Sequence, residues 1–184
     1  ECMIREERTP TVDTWWLFTI AEEVGLGASS VLIPDVASMV TVDNGTTAPG
    51  QNSSEFGVTI AMADQTGPFD WHLSRKLVQL AKDHDIPHQK DVFRYYRSDS
   101  ASALEAGADI RTALVTFGID ASHGYERIHE RALEDLTRLL VAYAESDVEI
   151  GRDAKPMSSV KGFTHQPIEE DDGQAGPPEA SPTA

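Results

Sequence analysis

The feature that most constrains this chain is Trp15-Trp16-Leu17-Phe18-Thr19-Ile20, an unbroken aromatic, aliphatic and β-branched run that meets two adjacent carboxylates, Glu22 and Glu23, after Ala21. Val24, Gly25 and Gly27 follow. A short continuous apolar run closed by glycine reads as a strand buried on both faces. Charged side chains cannot enter such an interior without a partner. Glu22 and Glu23 are therefore expected just past the C-terminal end of that strand, the edge at which open α/β sheets bind ligands. Two carboxylates there can divide the work, one holding a metal ion and the other moving a proton. The plainer reading is a solvated acidic pair at a turn.

The remainder of the chain supplies a sheet for that strand. Residues 38–42 and 57–62 read as further strands, 86–93 as a short one, and 112–117 as the last. Between them, residues 24–33 read as a helix of small side chains. Residues 69–83 read as an amphipathic helix with Leu73, Leu77, Leu80 and Ala81 on one face. Residues 101–106 read as a short helix closed by Gly107. Residues 128–144 carry a stripe of Leu133, Leu136, Leu140 and Tyr143, with Glu134 and Arg138 as a favourable pair four apart. Strands alternating with helices predict an α/β fold: a three-layer α/β/α sandwich around a largely parallel, mixed sheet. Residues 1–14 read as the end of a helix and a linker, and 15–146 as the folded domain. Residues 147–184, with an acidic run and Pro177-Pro178, read as a disordered acidic tail rich in Pro and Gly.

Charge narrows the partners. The 184 residues carry 31 acidic and 15 basic side chains, a formal net charge of −16. That balance argues against nucleic acid, whose phosphates require basic patches. No apolar run approaches the ~20 residues of a membrane helix. The single cysteine, Cys2, rules out an internal disulfide and fits a reducing, cytoplasmic compartment.

Three strand ends carry candidate donors: Glu22 and Glu23 after the first, Asp43 after the second, and the loop holding His123 and His129 after the last. Parallel strands set such ends side by side. Carboxylates with imidazole form a mixed oxygen and nitrogen set suited to Zn²⁺, Co²⁺ or Mn²⁺ rather than Ca²⁺. Each residue also has a structural reading: Asp43 before Asn44-Gly45 as a turn residue, His129 as a first-turn residue of the last helix, and Asp99 as the N-cap of the helix at Ala101. Ser122-His123 lacks the Gly-x-Ser-x-Gly elbow of a nucleophilic serine.

Taken in order, Thr-Ile-Ala-Glu-Glu-Val-Gly, then Val-Asp, Arg-Ser-Asp-Ser-Ala-Ser-Ala, and Arg-Ile-His before the terminal helix resemble the dinuclear metallo-aminopeptidases of the glutamyl, deblocking and tetrahedral type. Asp-Asn-Gly-Thr-Thr-Ala-Pro-Gly-Gln-Asn, Tyr-Tyr-Arg-Ser-Asp and Ala-Ser-His-Gly-Tyr-Glu-Arg look like the branch associated with the osmoprotectant N-acetylglutaminylglutamine amide. The resemblance implies a zinc-exopeptidase-like fold and two divalent metal ions, zinc or cobalt. It makes Glu22 the general base, Glu23 and His129 ligands of one ion, and Asp43 a ligand of the other. It also implies that Asp99, His123 and Tyr125 line the substrate pocket, that the substrate is a small peptide or a modified dipeptide, and that the full-length protein is a homo-oligomer. The family's upstream histidine and bridging aspartate do not precede Trp15, so the chain looks like a C-terminal fragment with three of five protein ligands, inactive by itself. Where relatives typically have Pro-x-Arg-Tyr-x-His, this chain has residues 124–129, Gly-Tyr-Glu-Arg-Ile-His. The alternative is a non-catalytic, hydrolase-like binding or assembly domain.

Overall fold

The computed structural model describes residues 1–33 and 35–147. Its elements in chain order are α1 (Cys2–Arg5), a 3-10 turn (Glu22–Val24), β1 (Ser38–Thr46), β2 (Val58–Asp64), β3 (Gly67–Pro68), α2 (Trp71–Asp83), β4 (His88–Val92), α3 (Asp99–Glu105), β5 (Arg111–Asp120), β6 (Arg127–Ile128) and α4 (Glu130–Ala144). The disordered reading of the tail falls on residues that lie, from 148 onward, outside those described.

The sheet has six strands in the order β1-β5-β2-β3, with β4 also on β2 and β6 on β5. It is mixed. β1 runs parallel to β5 from Ser38 opposite Arg111 to Thr46 opposite Ile119, and β2 runs parallel to β4. β2 is antiparallel to both β5 and β3. Parallel neighbours need a crossover of a dozen residues or more, usually helical. That condition is met by α2 between β2 and β4, whereas a two-residue link suffices between β2 and β3.

Alternation sorts the two faces. Val58 and Ile60 on β2, with Ala113 and Val115 on β5, pack against Leu73, Leu77 and Ala81 of α2 and Leu136 and Leu139 of α4. The opposite face carries Ala61 and Leu114 with Phe69 and Phe93, and α3 packs there against β1 and β5. This is the α/β/α layering expected from the sequence. Asp70 starts α2 by accepting the Leu73 amide at 2.8 Å, and Arg111 holds its other oxygen at 2.7 Å. The buried stripe of α4 is rotated from the expected one: Leu139 is buried while Leu133 is exposed, because the helix packs on α2 and β5 together. Arg138 pairs with Asp135 at 3.0 Å rather than with Glu134. Among the described residues no helix is long and apolar enough to cross a membrane.

The expected first strand is the main correction. Residues 15–20 form no strand, and Trp15, Phe18 and Ile20 are 70%, 87% and 102% exposed. Hydrophobicity records that a segment avoids water; it does not supply the partner edge a strand requires. β1, the edge strand, pairs with β5 alone among the described residues. The expected helix at 24–33 is likewise replaced by the 3-10 turn and irregular turns. Gly25, with φ of +74°, ends the helical conformation by the left-handed route that glycine permits.

Burial sets the expected stability effects. Leu77→Ala, which empties a site with no solvent exposure, is expected to cost about 2–5 kcal/mol in urea unfolding. Phe18→Ser is expected to stay within about 0.5 kcal/mol. A reversed order would contradict the packing described.

Candidate metal and acid-base centre

The acidic pair sits on a turn built to display it. The Gly25 amide bonds the Glu22 carbonyl at 2.8 Å and the Leu26 amide bonds the Ala21 carbonyl at 3.1 Å. Both carboxylates therefore leave the backbone within three residues of each other, not from a strand end. Asp43 arrives differently. Residues 43–45, read as turn chemistry, are part of β1, so the turn reading is corrected. Strand pairing with β5 overrides the local preference of Asp-Asn-Gly. Asp43 lies two residues beyond Thr41 and hence on the same sheet face. Thr41 marks that face as the α3 side through its 2.5 Å hydroxyl bond with Ser100.

These groups feel one another. Burial pushes the Glu22 carboxyl up to about 7, and the neighbouring Asp43, Asp99 and Glu23 carboxylates push the same way against a smaller opposing pull from His123. Asp43 is also raised, first by burial, with the Tyr96 hydroxyl and the Asn44 amide, 2.7 Å away, acting against it. Tyr96 is raised by burial and by the same carboxylates, so its phenol stays protonated across the working range. Its buried hydroxyl faces Asp43 without completing a well-shaped hydrogen bond. The sequence reading passed over Tyr96; Tyr95-Tyr96 beside Arg97-Ser98-Asp99 carries no signal of which ring turns inward.

The two histidines separate. His123 lies in the loop between β5 and β6 with φ of +63°, after Ala121 at +57°. Its backbone amide is held by Glu126 at 3.0 Å, and its Nε2 stands 3.4 Å from Glu23 Oε2. Two non-glycine residues in the left-handed region are costly and recur at functional loops. His129 is the N-cap of α4, its Nδ1 accepting the Arg131 amide at 3.2 Å. Its ring packs on Phe56 at 4.8 Å between centroids. Tyr125 is 96% exposed.

Asp99 is not the N-cap. Ser98 holds that position, and Asp99 is the first helical residue. Its carboxylate, in a residue only 6% exposed, turns back to accept the Ala28 amide at 3.0 Å and the Thr19 hydroxyl at 2.5 Å.

The structure thus brings Glu22, Glu23, Asp43, Asp99 and His123 within electrostatic reach of one another, with Tyr96 beside Asp43, while His129 caps α4 against Phe56 and Tyr125 stands in solvent. Among the described residues, no three His, Cys, Asp or Glu side chains converge as a metal site. The chemistry of the set still suits a divalent cation, which would relieve the repulsion that raises Glu22 and Asp43.

The model of the M42 glutamyl aminopeptidase family matches residues 3–139. The chain belongs to this family. A Bacillus subtilis (strain 168) protein named "Putative aminopeptidase YhfE" is 36% identical over 148 residues, which cover 78% of this chain and 43% of that protein. The chain thus spans less than half the length of that relative. Among solved structures, the Pyrococcus horikoshii TET1 peptidase, described as assembling into a tetrahedron or a large octahedral shell, superposes with a TM-score of 0.60. It is 25% identical over 69% of this chain and 39% of its own. A TET aminopeptidase from a marine-sediment Thaumarchaeota archaeon shares the fold with a TM-score of 0.58 at 24% identity, over 69% of this chain and 38% of its own.

The raised Glu22 carboxyl has a stability consequence. An acid whose folded pKa exceeds its unfolded value binds a proton more tightly when folded. Folding is therefore favoured below the unfolded value near 4.3, and that advantage is lost as pH rises through about 7. Glu22→Gln is expected to raise Tm at pH 8 in the presence of a chelator and to leave it unchanged at pH 4. Equal Tm values for mutant and native at pH 8 would contradict the crowding.

Proposed function

We propose that this M42 chain forms part of a metal-dependent aminopeptidase that hydrolyses small peptides by general-base catalysis, with Glu22 as the base. The observations that carry this reading are the family match over residues 3–139 and the Glu22–Glu23 turn set beside Asp43, where burial first and flanking carboxylates second raise the Glu22 carboxyl to about 7. A general base works best with its pKa near the operating pH. Glu23, Asp43 and His129 are the residues we assign to two divalent ions, zinc or cobalt. Such ions supply a water acidified toward neutrality and polarisation of the scissile carbonyl.

The chain's own residues do the remainder. Glu22 takes a proton at a carboxylate oxygen and returns it to the leaving amine. The Tyr96 hydroxyl faces Asp43 and favours its charged form. His123, beside Glu23, and the exposed Tyr125 border the side from which a peptide approaches. The substrate reading is a small peptide or a modified dipeptide of the osmoprotectant class. Assembly into a homo-oligomer is supported by the shells described for the Pyrococcus horikoshii relative.

The position of His129 against Phe56 favours the rival, a domain that binds without cleaving. One experiment separates the two. In the full-length protein, Glu22→Gln is expected to lower kcat on a dipeptide amide by about 10²–10⁴-fold, the range general bases supply. Chelation is expected to abolish turnover, and added Zn²⁺ or Co²⁺ to restore it. Full activity in Glu22→Gln removes Glu22 from the mechanism; no peptidase activity in the metal-loaded native protein favours the rival.

A further inference from the structure

The two acid-bearing segments of the site, the Glu22–Glu23 turn and β1, are separate in sequence, and α3 touches both with residues Asp99 to Ser102. Asp99 accepts the Ala28 amide at 3.0 Å and the Thr19 hydroxyl at 2.5 Å. These bonds pin the turn on either side of Glu22 and Glu23. Ser100 bonds Thr41 of β1 at 2.5 Å, two residues before Asp43. Ser102, one helical turn on, bonds the Gly25 carbonyl at 3.1 Å. A Cβ at Gly27 would collide with the Asp99 carboxylate, so glycine is what lets the backbone come this close.

These side-chain bonds tie the stretch to α3. The segment around the turn has its large side chains, Phe18, Ile20 and Val24, in water, so packing of those side chains does not fix it. Buried polar bonds do, and losing one leaves the partner unsatisfied.

We propose that Asp99 is a positioning residue that sets Glu22 and Glu23 against Asp43 through Thr19 and the Ala28 amide, rather than a residue that contacts substrate. The proposal rests on the reading of Glu22 as base and extends it to how that base is placed. A displacement of about 1 Å in a catalytic group can cost about 10²-fold in rate, so the effect falls on kcat.

The test uses the full-length, metal-loaded protein and two readouts: steady-state kinetics on a dipeptide amide, and amide hydrogen exchange. Asp99→Ala removes both bonds. It is expected to lower kcat at least tenfold with KM within twofold, and to speed exchange of the Ala28 amide at least tenfold while the Val115 amide is unaffected. Asp99→Asn keeps an oxygen acceptor for the Ala28 amide and is expected to recover most of that loss. Thr19→Val removes one bond without touching the helix. If Asp99→Ala does not fold, Thr19→Val carries the test, with a lower kcat and faster exchange at Ala28.

A rise in KM at constant kcat, or Asp99→Asn as damaged as Asp99→Ala, would show that the charge serves substrate and would overturn the proposal. Unchanged Ala28 exchange in Asp99→Ala and Thr19→Val would overturn it as well. Faster Ala28 exchange in the two variants, with no turnover in the native protein, would uphold the positioning and sink the catalytic reading alone.

Discussion

Like charges repel, and the α3 face of this sheet crowds four carboxylates, Glu22, Glu23, Asp43 and Asp99, with little positive charge to balance them. Burial first, and this repulsion second, push the Glu22 and Asp43 carboxyls upward. A fold driven only by stability would disperse such groups. Bonds from α3 hold the backbone that carries them: Asp99 to Thr19 and Ala28, and Ser100 to Thr41. The hydrophobic core lies on the opposite face, where α2 and α4 cover β2 and β5. It gives the sheet rigidity without taking up the surface on which the acids gather. The division of labour is one of faces, set by the two-residue alternation of the strands.

The legible parts of the fold were those with a repeating physical signal. The apolar spacing of Leu73, Leu77 and Ala81 places α2 correctly, and the runs around Val58–Met62 and Ala113–Val115 place the two central strands. Short-range chemistry was less dependable. Asp43-Asn44-Gly45 has every preference of a turn, yet pairing with Thr116, Phe117 and Gly118 of β5 makes it strand. Asp99 has the composition of an N-cap, yet a long-range bond to residue 28 claims its carboxylate. In both places an interaction distant in sequence overrides a local preference.

The run from Trp15 to Ile20 shows a different limit. Its composition is that of a buried strand, and it is left in water beside a turn. Sequence reports its aversion to water but not the partner that would satisfy it. At the site, the acids were legible because Glu22-Glu23 follows an apolar run so abruptly. Which histidine would face them was not. His123 reaches Glu23 because Ala121 and His123 adopt left-handed backbone, a conformation that no residue pattern announces, whereas His129 is used as a helix cap. Membership of the M42 family and the α/β/α layering agree with each other.

The claim beneath this account is that Glu22 and Asp43 share one electrostatic environment despite lying on separate elements. Carboxyl-carbon NMR titration of Glu22 in chelator-treated protein, native and Asp43→Asn, tests it most directly. The account predicts a Glu22 midpoint near neutrality in the native chain that falls clearly when Asp43 loses its charge. A midpoint in the ordinary carboxylate range, or one that does not move in Asp43→Asn, would contradict it.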